Sequence, residues 1–182
     1  MRLESSGQTV DVGRYLGALL RAGDVVLLDG PLGSGKTTLA RGIGEGMGVR
    51  GPVTSPTFVI ARVHQADAAV GATTPLVHVD AYRVGSVDDL ESLDLDESME
   101  DSATVVEWGT GRVEGLASSY LTIALRRDVH AVGAGEMTSG EIDSDDVRTL
   151  NWWVVGSGWD ERVPLLTSRL GPQGREGRKI GR

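Results

Sequence analysis

The chain contains no cysteine, which excludes disulfides, a thiol nucleophile and any cysteine-bound metal. Its three histidines, His64, His78 and His130, are scattered and do not make a metal-ligand cluster. No apolar stretch at the N-terminus has the pattern of a signal peptide, and no apolar run approaches the ~18 residues of a membrane span. A soluble, cytoplasmic protein is therefore expected. Positive charge is also scarce: 18 Lys and Arg stand against 26 Asp and Glu, for a net charge of −8. The stretch from Arg175 to Arg182 holds four basic side chains against one acidic, so the rest carries −11. Such a body is ill suited to hold nucleic acid, because phosphate neutralisation dominates that affinity. Any RNA involved is expected to be held by a partner protein. At 182 residues the chain suits a single domain with a substantial core, expected over 1–170. Residues 171–182 read as a flexible, basic, glycine-rich tail.

Lysine occurs only twice, and one of the two closes the run Gly30-Pro31-Leu32-Gly33-Ser34-Gly35-Lys36-Thr37. That is G-x-x-x-x-G-K-[ST], the phosphate-binding loop of P-loop NTPases, in which a glycine-rich backbone curls its N–H groups around a phosphate. The helix that follows, starting with Lys36, Thr37 and Thr38, would present its positive dipole end to the same anion. Gly33, Ser34, Gly35, Lys36, Thr37 and Thr38 are thus candidate ATP-binding residues. Lys36 would neutralise the β- and γ-phosphates, and the Thr37 hydroxyl would ligate Mg²⁺. The flanks agree: Val25-Val26-Leu27-Leu28 suits a buried parallel strand, and Leu39, Ile43 and Met47 recur on one helix face.

Along the rest of the chain, Thr9 is a possible N-cap for a helix with Val12, Leu16 and Leu19 on one face, stopped by Gly23. Gly42, Gly44, Gly46 and Gly48 each cost the helix after the loop about 1 kcal/mol against Ala, so it depends on packing. Phe58 to Val63 and Leu76 to Val79 read as two strands of a hairpin. Eight carboxylates and no base lie between Asp88 and Asp101, as a solvated helical face or a partner-facing surface. Thr104 to Val106, Tyr120 to Leu125 and Leu150 to Val155 read as further strands, and Trp159 to Leu170 as a closing amphipathic helix. Residues 128–146 read as an acidic, glycine-rich loop. The implied class is α/β, a P-loop NTPase-like three-layer sandwich with a mainly parallel sheet, an antiparallel hairpin and a C-terminal strand addition.

Ligands of open α/β sheets sit beyond the carboxyl ends of strands, and Asp80 and Glu107 both end apolar runs there. A P-loop NTPase needs a carboxylate near Mg²⁺ and a group that positions the attacking water, and either residue could meet either need. Asp80 alone also reads as a turn or cap residue. Trp108 reads equally as a core aromatic or a wall of the nucleotide site.

GPLGSGKT, SPTF at Ser55–Phe58, HVDAYR at His78–Arg83 and VEWG around Glu107 together resemble the TsaE family, formerly YjeE. Ser6-x-x-Thr9-x-x-x-Gly13 and the strand starting near Arg148 fit as well, so the resemblance spans roughly Ser6 to Leu170. The family implies an ATPase required for threonylcarbamoyladenosine in tRNA, acting with TsaD and TsaB and using ATP hydrolysis to reset that complex. Thr37 and Glu107 then resemble Mg²⁺ ligands. Asp80 resembles the carboxylate needed for hydrolysis, with Lys36, Asp80 and Glu107 as the catalytic set and Asp80 a further candidate metal ligand. Thr57 occupies a switch-like position, and Thr9 and Arg148 resemble nucleotide contacts beside Trp108. ATP and Mg²⁺ are the implied cofactors, TsaD and TsaB the partners, and tRNA is met only through them.

A small-molecule or nucleoside kinase is a competing P-loop class, but it needs an arginine-rich lid. No arginine occurs between Arg83 and Arg112. A guanine-reading N-K-x-D element is impossible, because the single asparagine is Asn151 and the second lysine is Lys179. A nucleotide-loaded binding module with negligible turnover stays open.

Overall fold

A computed structural model describes residues 1–56, 60–83, 100–109, 117–127 and 147–174. Within them seven strands form one mixed sheet: β1 (Arg2–Leu3), β2 (Val25–Asp29), β3 (Ala61–His64), β4 (Leu76–Asp80), β5 (Ala103–Glu107), β6 (Tyr120–Arg127) and β7 (Arg148–Val155). The strand order is β1-β7-β6-β2-β5-β4-β3. The central pairings β6·β2, β2·β5 and β5·β4 are parallel, while β4·β3, β6·β7 and β1·β7 are antiparallel. The sheet is therefore evenly mixed where a mainly parallel one was expected. The antiparallel share grows through β1, a two-residue strand too short to leave a pattern, whose Leu3 is nonetheless buried.

Helix α1 (Ser6–Gly17), α2 (Lys36–Met47) and α3 (Val163–Leu170) place Val12, Leu16, Leu39, Ile43, Leu166 and Leu170 in one apolar cluster. Val26, Leu28 and Val105 meet them from one face of the sheet. On the opposite face Val25, Leu27, Val77, Val79 and Val106 form a second cluster. The acidic stretch of residues 88–99, the 128–146 loop and the tail from 175 all fall outside the described residues. So does the start of the expected 58–63 strand, which is seen from Ala61 and runs on to His64. None of the described helices is long and apolar enough to cross a membrane.

Several boundaries differ from the sequence reading. Ser5, not Thr9, caps α1: its hydroxyl accepts from Gln8 N at 3.2 Å. In return the Gln8 side chain accepts from Glu4 N at 2.8 Å, so the cap is made by side chains before the apolar run begins. The same helix ends at Gly17, and Gly23 instead serves a turn whose N–H donates to Ser102 O at 2.9 Å. The closing helix starts at Val163, because Trp159–Arg162 form a turn ahead of Pro164. Arg162 forms a buried ion pair with Asp24 (Nη2–Oδ1 2.7 Å) and donates to Leu19 O and Gly158 O. It thereby fastens that turn to the start of β2.

The α2 glycines have a different meaning from a propensity cost. A Cβ on Gly42 would meet Val10 O at 2.3 Å, and one on Gly46 would meet Arg14 O at 2.2 Å. From α1, Gly13 and Gly17 are equally tight against Leu39 O (2.5 Å) and Ile43 O (2.2 Å). Two pairs of glycines four residues apart thus bring the helix backbones into direct contact.

Candidate functional site

β2, β5 and β4 lie side by side in parallel, so their carboxyl ends open on one edge. In register, Leu28 pairs with Glu107 and Glu107 with Asp80. Period-two alternation puts Leu76, His78 and Asp80 on the same face as Val105 and Glu107, the face that carries α2. The loop from Gly30 to Gly35 leaves β2 at this edge and delivers Lys36 and Thr37 into α2. Gly30 has φ 140° and its missing Cβ would lie 2.2 Å from Leu125 O; Gly35, the helix cap, has φ 101°. Both are conformations that a side chain would oppose.

The cleft so formed has a volume of about 240 Å³. The loop and helix contribute Gly33, Gly35, Lys36, Thr37 and Thr38, and the strand ends contribute Asp80, Glu107, Trp108 and Arg148. Lys36 is 4% exposed, and its Nζ donates to Gly30 O (2.7 Å) and Pro31 O (3.0 Å) while standing 3.7 Å from the centre of a Trp108 ring. Burial pushes the Lys36 pKa below its ordinary value, opposed by the charges of Glu107, Asp29 and Asp80. Trp108 holds φ 62°, unusual for a bulky residue, with its N–H on Leu28 O at 3.1 Å. That turn lets the indole face Lys36 on one side and approach Tyr82 at 5.3 Å between centroids.

Beneath Lys36, the Thr37 hydroxyl lies 2.9 and 3.0 Å from the two Glu107 carboxylate oxygens. Asp80 accepts from Ser55 Oγ (3.2 Å) at one oxygen and from Tyr82 N (3.1 Å) at the other. A hydroxyl and two carboxylates are hard oxygen donors of the kind Mg²⁺ selects. Among the described residues no group of three or more His, Cys, Asp or Glu could hold a metal alone.

The structure therefore brings together most of the residues singled out from the sequence. Ser34 stays apart: it is buried, its N–H closes a turn on Pro31 O (3.2 Å), and its hydroxyl has no hydrogen-bond partner. Thr9 is buried within α1, its hydroxyl near Ser5 O at 3.3 Å, and it does not line the cleft. Thr57 lies outside the described residues. Two contributors were not assigned a role from sequence, Ser55 on Asp80 and His78 on Glu107. His78 was legible in principle, since it precedes Asp80 by two on one strand and so shares its face.

Comparison with known proteins gives consistent matches. The family model for threonylcarbamoyl adenosine biosynthesis protein TsaE matches residues 3–133. A tRNA threonylcarbamoyladenosine biosynthesis protein TsaE from Streptomyces coelicolor is 53% identical over 150 residues, covering 82% of this chain and 92% of the relative. Its namesake from Bacillus subtilis is 32% identical over 154 residues, covering 84% of each. The crystal structure of YdiB from Bacillus subtilis superimposes with a TM-score of 0.63 at 27% identity, covering 93% of this chain and 91% of that one.

Proposed function

This chain belongs to the TsaE family, and from that premise we propose that it is a magnesium-dependent P-loop ATPase serving threonylcarbamoyladenosine formation in tRNA. The observation that carries the chemistry is the stack of Lys36, Thr37 and Glu107 at one helix N-terminus, with Asp80 the register partner of Glu107. The finer fold reading, a P-loop NTPase-like three-layer sandwich in a single domain, belongs to the same proposal.

In this reading ATP enters with its phosphates over the loop. Mg²⁺, when bound, neutralises charge on the β- and γ-phosphates, and Thr37 and Glu107 are the side chains that would hold it. Lys36 supplies a compact cation to the same oxygens. Asp80, steadied by Ser55 and the Tyr82 N–H, orients the water that attacks the γ-phosphorus as the bond to the β-phosphate oxygen breaks, yielding ADP and phosphate. Trp108 walls the site and limits bulk water. Arg148, close enough that its Nε would sit 3.0 Å from a Cβ on Gly35, adds a second cation beside the loop.

The acidic body argues for docking on protein rather than on tRNA, and the partners proposed are TsaD and TsaB. Turnover then resets their complex between modification cycles, in the cytoplasm. The test is ATP hydrolysis by the full chain with and without the TsaD–TsaB pair. Stimulation by the pair is expected. No stimulation, together with normal tRNA modification in cells lacking the protein, would sink the reading.

A further inference from the structure

His78 is fully buried at the centre of β4, on the face shared with the apolar residues Leu76 and Val105. An imidazole there is costly, because burying a polar ring is unfavourable unless its nitrogens are hydrogen-bonded. Only one of them is: Nε2 lies 3.0 Å from Glu107 Oε1, and Nδ1 has no hydrogen-bond partner. Leu or Phe would suit the surrounding core better. Among the described residues, the hydrogen bond that this side chain makes is with Glu107.

Because a carboxylate only accepts, Nε2 is the nitrogen that donates. Glu107 is then gripped from two elements, by His78 from β4 and by the Thr37 hydroxyl from α2. Oε1 lies within hydrogen-bond reach of both donors, while Oε2 lies within reach of Thr37 alone, whose single proton the two oxygens share. His78 thus fixes the rotation of the carboxylate and leaves Oε2 the less encumbered oxygen. We propose that His78 is a positioning residue that presents Glu107 Oε2 to the divalent cation accompanying the nucleotide. This rests on the function proposed above. Carboxylates and imidazoles that hold metals are commonly oriented by such outer hydrogen bonds, whose loss costs roughly 10- to 100-fold in metal affinity.

The test uses the full chain, with Mn²⁺ as a paramagnetic probe and ADP as the nucleotide. Mn²⁺–ADP binding is followed by electron paramagnetic resonance, and ADP binding in EDTA by calorimetry. His78→Leu should weaken Mn²⁺–ADP about tenfold and change metal-free ADP by less than about twofold, without lowering the melting temperature. His78→Gln, which can place an amide N–H near the Nε2 position, should recover most of the loss. Equal weakening of both nucleotide forms, no change in either, or failure of Gln to restore binding would overturn the assignment. If His78→Leu fails to fold, the Gln variant decides alone: near-native Mn²⁺–ADP affinity supports the donor role, and a tenfold loss refutes it. A wild-type protein whose ADP affinity is indifferent to Mn²⁺ would refute the metal-dependent site itself, and His78's role with it.

Discussion

Gly46→Ala sets two physical effects of opposite sign against each other. In an ordinary helix interior the substitution stabilises by about 1 kcal/mol, since alanine loses less backbone entropy. Here the new methyl would stand 2.2 Å from Arg14 O and 2.8 Å from the Arg14 Cα and carbonyl carbon. All three are backbone atoms, so no rotamer change relieves the overlap. The helices must separate by about 1 Å, which forfeits much of the dispersion between facing atoms, and overpacking of this kind costs about 3 kcal/mol at its upper end. The net expectation is destabilisation by about 2 kcal/mol, or a melting temperature lowered by roughly 4–8 °C for a chain of this size. Gly7→Ala is the matched control. Its Cβ would meet only Ser5 Oγ, at an ordinary 3.6 Å, so propensity should win and stability should rise by about 0.4–1 kcal/mol. Urea and thermal unfolding followed by circular dichroism read both variants. A Gly46→Ala protein as stable as Gly7→Ala would refute the close approach of α1 and α2.

Lys36→Ala should reduce ATP turnover by about 10²- to 10³-fold, the usual loss when a charge-stabilising donor is removed; retained turnover in a steady-state phosphate-release assay would remove Lys36 from the chemistry. Glu107→Ala should weaken Mg²⁺–ATP binding by more than it weakens metal-free ADP binding, a contrast that calorimetry with and without EDTA can read. Arg162→Ala leaves the largely buried Asp24 with the Arg21 N–H in place of its charged partner and should cost about 3 kcal/mol in urea unfolding, the low end for a broken buried pair. Burial, reinforced by His78 and Arg62, lowers the His64 pKa. The unfolded chain therefore takes up the proton first as pH falls through about 6.5, so His64 lowers stability below that pH and not above it. His64→Gln should flatten the acid side of a stability–pH curve, and an unchanged slope would contradict the burial argument.

The strands and the loop between β2 and α2 were legible because each rests on local chemistry: continuous apolar runs, a glycine-rich turn, a helix period. Helix ends were less so. Thr9 was an acceptable cap by type, but Ser5 caps α1 one turn earlier, while the Gln8 side chain accepts from Glu4 N just ahead of it. Nothing in the residue pattern around Arg2 and Leu3 announces a strand, since β1 exists only because β7 offers it an edge. The glycines of α2 announced a helix that depends on packing, but not against what, because close helix contact is a property of two segments and propensity of one. In the site, Lys36, Thr37, Asp80 and Glu107 declared themselves by motif and by position at strand ends. His78 and Ser55 act on those residues across strands and loops, and such pairings appear only with the register.

That register also bears on how such a protein can change over generations. Asp80 and Glu107 are neighbours because β4 and β5 are, at a separation set by the ~4.8 Å spacing of hydrogen-bonded strands rather than by any loop. Segments joining the strands can lengthen, shorten or drift in composition without moving one carboxylate relative to the other. A single residue inserted within either strand would instead turn its acid to the opposite face. Mutational tolerance should therefore be sharply partitioned, with wide latitude in the connections and almost none in ten residues of sheet.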